Sequence, residues 1–404
     1  MGKSSNTVLV LGGDGYLGWT LAVALATRTD DNIIIVDNLS KRKWEAEVNV
    51  QSLVELKSPE ERVLDYHRLY KRMNLSYENM DLCNYEAVLD LIKRHKPKTI
   101  VNAAQQPSAP FSMMSPKNAR TTLDNNSTTN LNVVWAIGSI NPDIKHIALG
   151  SAGSYLSIDS DFIPKQKVDF EFTYKNVLHK ITNSWLPMQA SDIYHQSKVN
   201  AFLLNDLCTS AWGLKTVTVQ QSTLFGHCIP ESLDKKYHAL STRFNYDHIF
   251  GTVLNRFICQ ATVRYPITVY GDGLQETGLI SLSDAIDNLV AMCEQPLENG
   301  VHVVKHSYTH SLSINDMVKH LSAIADIEVK NLVNPRFEPK GTRKKIFEIP
   351  TGCVNKMNNE IGFVKDLKAL YEFAYLYRDN VNEKYIKPNV NWNHSKGKVN
   401  LVSN

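Results

Sequence analysis

The stretch Val8-Leu9-Val10-Leu11-Gly12-Gly13-Asp14-Gly15-Tyr16-Leu17-Gly18 runs from four apolar residues through a glycine turn into the start of a helical stripe. A short continuous apolar run that stops at glycine is the pattern of a strand buried on both faces. Glycines at 12, 15 and 18 have the spacing of a dinucleotide-binding turn. Gly12 permits the tight turn, Gly15 lets a pyrophosphate approach the backbone, and Gly18 lets the following helix pack closely on the sheet. The helix entered through Tyr16 and Leu17 offers unpaired N–H groups and a partial positive charge to phosphates. Asp37 closes the next apolar run, Ile33-Ile34-Ile35-Val36, 19 residues after Gly18. With Asn38 beside it, that carboxylate is placed to accept hydrogen bonds from ribose hydroxyls and to repel a 2′-phosphate. The turn therefore reads as a site for NAD rather than NADP, a preference that Lys41 and Arg42 soften. Asp81-Leu82, after a third expected strand, either borders the adenine or belongs to a helix cap.

Outward from this turn the chain keeps alternating. A helix over about Tyr16 to Thr27 buries Leu17, Leu21, Ala24 and Leu25. Another over Glu86 to Lys96 leads into a strand at Thr99-Ile100-Val101, and a helix around Leu131 to Ile137 precedes the strand His146-Ile147-Ala148-Leu149. A helix from about Ala190 to Ala211 leads to a strand at Lys215 to Val219. Strands separated by helices of this length imply right-handed crossovers and a parallel sheet covered on both faces. The expected fold class is α/β, a Rossmann-type doubly wound parallel sheet with a smaller mixed α/β substrate-binding lobe. Residues 1–222 make the NAD-binding domain, with insertions at about 39–75, charged and helical, and 156–189, without a clear period. Residues 223–404 make mainly the substrate lobe, with part of it returning to the Rossmann domain. Ser313 with Asp316 reads as a helix cap, and the tail from about 389 as irregular.

Composition narrows the class. The 404 residues are 43% hydrophobic, which excludes wholesale disorder. Forty-four Lys and Arg against 41 Asp and Glu leave a formal charge of +3, which gives no electrostatic case for nucleic acid or an anionic membrane as partner. No apolar run reaches the length of a membrane span, and the first residues lack a signal-peptide pattern, so the expectation is a cytoplasmic protein. The cysteines, Cys83, Cys208, Cys228, Cys259, Cys293 and Cys353, have neither Cys-x-x-Cys spacing nor ligand partners in sequence. They read as reduced, mostly buried thiols, with no metal site.

The chemistry is expected at Tyr194-His195-Gln196-Ser197-Lys198. Tyrosine and lysine four positions apart share one helix face, so phenol and ammonium can enter the same pocket. A nearby cation favours phenolate, and such a tyrosine takes a proton from a substrate hydroxyl while a hydride moves from that carbon to NAD. Ser151, ending the fifth expected strand, can bond the same hydroxyl. His195 either assists proton movement or bonds a neighbouring carbonyl. Gln220-Gln221 ends the next strand near the same place.

The turn, Ser151 and Tyr194/Lys198, in that order, resemble those of extended short-chain dehydrogenase/reductases acting on nucleotide sugars. Further segments are similar to the UDP-sulfoquinovose synthase family: Val36-Asp37-Asn38-Leu39, Gln106-x-Ser108-Ala109-Pro110, Tyr194-His195-x-Ser197-Lys198, Phe250-Gly251-Thr252-x-Leu254-Asn255-Arg256-Phe257, Asn334-Pro335-Arg336 and Val390-Asn391-Trp392. The resemblance implies a bound NAD that oxidises the sugar at C4. Elimination across C5 and C6 and addition of sulfite at C6 follow, then return of the hydride. It also implies Gln106, Ser108, Asn255, Arg256 and Arg336 near a UDP-glucose-like substrate, and by analogy of fold a homodimer through helices of the Rossmann lobe. Three positions depart from the family pattern. Ser154 stands where the family has an acid, Pro107 where it has an arginine, and Thr277 where an arginine clamps the diphosphate; Arg256, Arg264 and Arg336 are the candidates to compensate. A nucleotide-sugar 4-epimerase or an oxidoreductase without sulfite chemistry therefore stays open, as does an NAD-binding scaffold whose catalysis has decayed.

Overall fold

A computed structural model describes residues 6–155, 167–185, 188–232, 235–333 and 360–387. The strands are β1 (Thr7–Leu11), β2 (Asn32–Asp37), β3 (Leu75–Asn79), β4 (Thr99–Asn102), β5 (Lys145–Leu149), β6 (Val168–Tyr174), β7 (Val177–Ser184), β8 (Lys215–Gln221), β9 (Thr223–Phe225), β10 (Ile267–Tyr270), β11 (Glu276–Ser281), β12 (His302–Ser307), β13 (His310–Ser313) and β14 (Val329–Leu332). The helices are α1 (Tyr16–Arg28), α2 (Ser40–Glu47), α3 (Pro59–Tyr70), α4 (Tyr85–His95), α5 (Ala109–Ser112), α6 (Pro116–Ile140), α7 (Ile193–Trp212), α8 (Val253–Thr262), α9 (Leu282–Glu294), α10 (Ile314–Ser322), α11 (Glu360–Leu376) and α12 (Glu383–Ile386).

Seven strands form one parallel sheet in the order β12-β8-β5-β4-β1-β2-β3. This is the doubly wound arrangement expected from the alternation. Val8 and Val10 of β1 pack to one face with α1 and α9, while Leu9 and Leu11 pack to the other with α4, α6 and α7. Both faces of β1 are thus dry, which is why its sequence is continuously apolar rather than alternating. The strand order reverses between β1 and β4, and that switch point opens a crevice at the carboxyl ends of the strands.

Residues after 222 build a second core around α8, α10 and α11, with a three-stranded sheet β13-β11-β9 and the pair β10-β14. The strand β12 leaves this lobe and pairs with β8 at the edge of the main sheet. The expected cap at Ser313 is a capping box with Asp316 that starts α10.

Two elements differ from their reading. The helix expected near 131–137 is the 25-residue α6, beginning at Pro116. The second insertion contains the antiparallel hairpin β6-β7, whose strands are solvated on both faces and so carry no period of two. Asp206 of α7 ties down the base of that hairpin, pairing with Lys167 at 3.0 Å and with His302 at 3.1 Å. Arg336, Val390-Asn391-Trp392, Cys353 and the tail from 389 lie outside the described residues. The other five cysteines are free thiols. Among the described residues no helix is long and apolar enough to cross a membrane.

Candidate active site

The crevice is a cavity of about 890 Å³ that runs from the glycine turn to the second lobe. Gly12, Gly15, Tyr16, Leu17, Gly18, Asp37, Asn38, Asp81 and Leu82 line one half. Gly12 has φ +80°, and a Cβ there would sit 2.6 Å from the Ala103 backbone; a Cβ on Gly18 would meet the Gly12 carbonyl oxygen at 2.2 Å. Gly15 precedes α1 without a side-chain cap, leaving the N–H groups of the first turn to a ligand. Asp37 lines the cavity but already accepts N–H bonds from Asp14 at 2.9 Å and Leu39 at 2.7 Å, and burial raises its carboxyl above the usual range. A carboxylate has about four acceptor sites, so ribose hydroxyls still find room. Of the two readings of Asp81 the structure keeps the first: it lines the cavity and its side chain accepts the Cys83 N–H, while the cap of α4 is Asn84, which accepts the Ala87 N–H at 3.2 Å.

Beneath the turn lies an arrangement that the sequence reading did not foresee. Asp14 is fully buried and is held by three guanidinium groups: Arg42 at 2.8 Å, Arg62 at 2.5 Å and Arg243 at 2.6 Å. Burial alone would raise the Asp14 carboxyl; the Arg42 hydrogen bonds and the Arg243 and Arg62 charges overcome it and hold the group below its ordinary value. Arg42 and Arg62 come from the first insertion and Arg243 from beyond the sheet, so one carboxylate ties three segments together. Arg243 also pairs with Glu45. Lys41, close to Glu45 and over the Phe250 ring, is lowered by burial to about 7.

At the middle of the cavity Ser151, Tyr194, His195 and Lys198 come together as expected. The Ser151 hydroxyl is in hydrogen-bond contact with Tyr194 and accepts the Gly153 N–H at 3.2 Å. Lys198 Nζ lies 5.4 Å from the Tyr194 ring centre and donates to the Leu149 carbonyl at 2.7 Å. The expected acidification of the phenol by this lysine is not produced by the chain alone. Burial pushes the Tyr194 phenol up, the Asp192 charge adds to the rise, and the Ser151 bond only partly opposes it. Burial also brings Lys198 down to about 7, so much of its charge is lost near neutrality.

The far half is lined by Ser108, Gln221, Ser222, His248, Thr252, Asn255, Arg256 and Thr277. Three expectations need correction. Gln106 does not line the cavity: its amide folds back on the Ser108 backbone, accepting the N–H at 2.9 Å and donating to the carbonyl at 3.2 Å. Arg264 is exposed and away from the cavity, so it does not replace the missing clamp. Of the glutamine pair, Gln220 is structural, accepting the Ser151 N–H at 2.9 Å, and only Gln221 faces the cavity. The Ser108 hydroxyl donates to the Ile249 carbonyl and accepts the Phe111 N–H, so it fixes the loop that carries His248. Asn255 lies against Gly226 and Tyr16.

Two of the lining residues that the sequence reading missed bear directly on the chemistry. His248 had no signal in sequence. It is 9% exposed, neither ring nitrogen has a hydrogen-bond partner among the described residues, and burial, then the Arg256 charge, lower it to about 3. Asp192 did carry a signal, an acid three positions before His195 at a helix start. It caps α7 through the His195 N–H at 2.9 Å and meets His195 Nδ1 at 2.6 Å.

Comparison with known proteins agrees with this geometry. The model of the NAD dependent epimerase/dehydratase family matches residues 8–304. The chain belongs to this family. It is 33% identical over 338 residues to the UDP-sulfoquinovose synthase of Sulfolobus acidocaldarius, covering 82% of this chain and 83% of that protein. It is 29% identical over 394 residues to the chloroplastic UDP-sulfoquinovose synthase of Spinacia oleracea, covering 95% and 79%. Among solved structures it is similar in fold to the UDP-glucose 4-epimerase of Thermotoga maritima, at 17% identity and TM-score 0.63 over 92% of this chain and 99% of that one. The UDP-glucuronic acid 4-epimerase of Bacillus cereus, in complex with UDP-glucuronic acid and NAD, matches at 16% identity and TM-score 0.64, covering 92% and 99%. The protein is an NAD-dependent enzyme of the epimerase/dehydratase family, and the glycine cradle and Asp37 fit that cofactor.

Proposed function

We propose that the chain modifies a UDP-glucose-like nucleotide sugar by UDP-sulfoquinovose-synthase-like chemistry, with sulfite as second substrate. The observation that carries this reading is the seating of Ser151, Tyr194 and Lys198 midway along one cavity, between the dinucleotide turn and the polar far half. NAD, when bound, supplies a hydride acceptor and later donor at sugar C4 and a positive ring charge beside the phenol. Tyr194 takes the proton of the 4-hydroxyl, Ser151 orients that hydroxyl, and Lys198, held on the Leu149 carbonyl, would join the ring charge of the bound cofactor in favouring phenolate. Gly12, Gly15, Gly18 and Asp37 hold the dinucleotide; Asn255, Arg256 and Gln221 face the sugar nucleotide. The outer face of α6 and α7 supports pairing with a second copy: Leu131, Trp135, Leu203 and Leu207 are exposed there, and the Trp135 and Trp212 rings meet edge-on at 4.9 Å.

Purified protein supplied with UDP-glucose, with and without sulfite, tests the reading by product mass. A sulfite-dependent mass gain supports it. An unchanged mass with altered stereochemistry would replace it by 4-epimerisation. Neither product means a different substrate.

A further inference from the structure

We propose that Asp192 is a positioning residue that turns His195 into a second proton-handling group, acting on the carbon next to the one Tyr194 serves. The proposal rests on the preceding reading for the identity of that carbon, while the pair itself rests on geometry. Capping α7 needs only one carboxylate oxygen, the one that takes the His195 N–H at 2.9 Å. The other lies 2.6 Å from Nδ1 of the same residue and also accepts from Ser191 Oγ at 3.0 Å. Asp192 is 9% exposed. Burial alone would raise its carboxyl, but the bonds from His195 hold it below the usual range, so it is ionised at neutral pH. A carboxylate cannot donate, so Nδ1 carries a proton, and in the neutral ring it is Nε2 that presents the lone pair.

Nε2 lies over the bare Cα of Gly153, where a methyl group would come within 2.0 Å of it, and it has no hydrogen-bond partner among the described residues. Gly153 and His195 both line the cavity, beside Ser151 and Tyr194. The imidazole and phenol rings stand 4.9 Å apart, edge to face. Adjacent sugar carbons are separated by about 1.5 Å, so two side chains side by side on one cavity wall are placed to serve neighbouring positions. Where the resemblance expects an acid, Ser154 offers a buried hydroxyl without a partner, which cannot titrate near neutrality. Among the described residues Asp192 is the ionised carboxylate in contact with a ring facing this part of the cavity.

Once C4 is a ketone, Nε2 removes the C5 proton, and the C–H electron pair moves into the C4 carbonyl as an enolate. When the carbonyl re-forms, that pair becomes the C5–C6 double bond and the C6–O bond breaks. The proton on Nε2 leaves with the hydroxyl as water, so His195 returns to its starting tautomer and nothing is consumed.

Asp192→Asn separates this role from capping, because asparagine caps a helix as well as aspartate does. Two measurements decide the proposal. In protein labelled at histidine, the nitrogen shifts of His195 should show the proton on Nδ1. Asp192→Asn should mix the ring's tautomers, with helix content unchanged. A tautomer indifferent to the substitution overturns the pairing. In D₂O with UDP-glucose, deuterium uptake at C5, relative to the reduced-dinucleotide absorbance that reports C4 oxidation, should fall about 100-fold in Asp192→Asn and in His195→Gln. An unchanged ratio overturns the proposal. Absence of the absorbance in the unaltered protein sinks the UDP-glucose reading instead, and the ring tautomer still decides the pair.

Discussion

The two halves of the cavity are built on opposite plans. On the cofactor side the charges are paired with one another, Asp14 with three arginines and Arg243 with Glu45, and Asp37 takes two backbone N–H groups, while single nitrogens of those cations, Arg62 Nε and Nη1, Arg243 Nε and Lys41 Nζ, are left without a hydrogen-bond partner among the described residues. On the far side polar atoms are left over. His248 Nδ1 and Nε2, Thr252 Oγ1, Gln221 Oε1 and Ser222 Oγ are buried without a hydrogen-bond partner among the described residues. A buried polar group left unmade costs about 1–3 kcal/mol, so a cluster of them along one cavity marks where a ligand completes the bonding. The cofactor half is shaped in advance, while the substrate half is finished by what binds there.

The largest effect expected from this contrast is on stability. Asp14→Asn keeps the size of the side chain but leaves three guanidinium groups facing one another without a carboxylate. Breaking a buried ion cluster in this way costs about 3–5 kcal/mol, which a shifted urea midpoint will report. A loss below about 1 kcal/mol would mean that the arginines are solvated and the cofactor half is not self-partnered. Next comes the missing clamp. Thr277 lines the far half, its hydroxyl 3.4 Å from that of Thr223. Thr277→Arg adds a bidentate donor suited to phosphate oxygens, and at about 1.5–3 kcal/mol for a charged hydrogen bond it should lower KM for UDP-glucose at least tenfold while leaving NAD affinity unchanged. An unmoved KM would mean that the substrate carries no diphosphate at this place.

Much of the first half was legible because its determinants are local. Strand, turn and helix follow one another within Val8–Gly18, Asp37 closes the next strand, and Tyr194 and Lys198 are one helical turn apart. What the sequence hid was non-local or polar. The partners of Asp14 stand 28, 48 and 229 residues away. The start of α6 escaped notice because its buried face there is polar: Asn126 bonds Ser197 at 2.9 Å and Asn130 bonds Asn205 at 3.0 Å, so the contact with α7 is made without apolar periodicity. Gln106 sits in one of the segments that carry the resemblance, yet it serves the Ser108 backbone rather than the cavity. The resemblance supplied the neighbourhood, and the hydrogen bonds supplied the role.

His248 tests the far half from the other direction. His248→Leu removes two orphaned nitrogens and keeps apolar volume, so the ligand-free protein should be as stable as the parent at neutral pH, or slightly more so. KM for the sugar nucleotide should rise between about twofold and tenfold, the worth of a lost hydrogen bond. The effect in acid has a fixed sign. The folded-state value of about 3 lies below the unfolded histidine value of about 6.5. As pH falls through 6.5 the unfolded chain therefore takes up a proton that the native imidazole refuses, and stability declines; above 7 neither state binds the proton and the contribution is flat. His146, fully buried and also near 3, gives the parent protein a slope of the same sign that the variant retains. Urea midpoints between pH 7.5 and 5 should accordingly fall less steeply for His248→Leu than for the parent. Identical slopes would mean that the ring reaches water and titrates normally in the fold. His248 would then be an ordinary solvated histidine, and the far half of the cavity would lose its clearest mark of a bond left for the ligand to make.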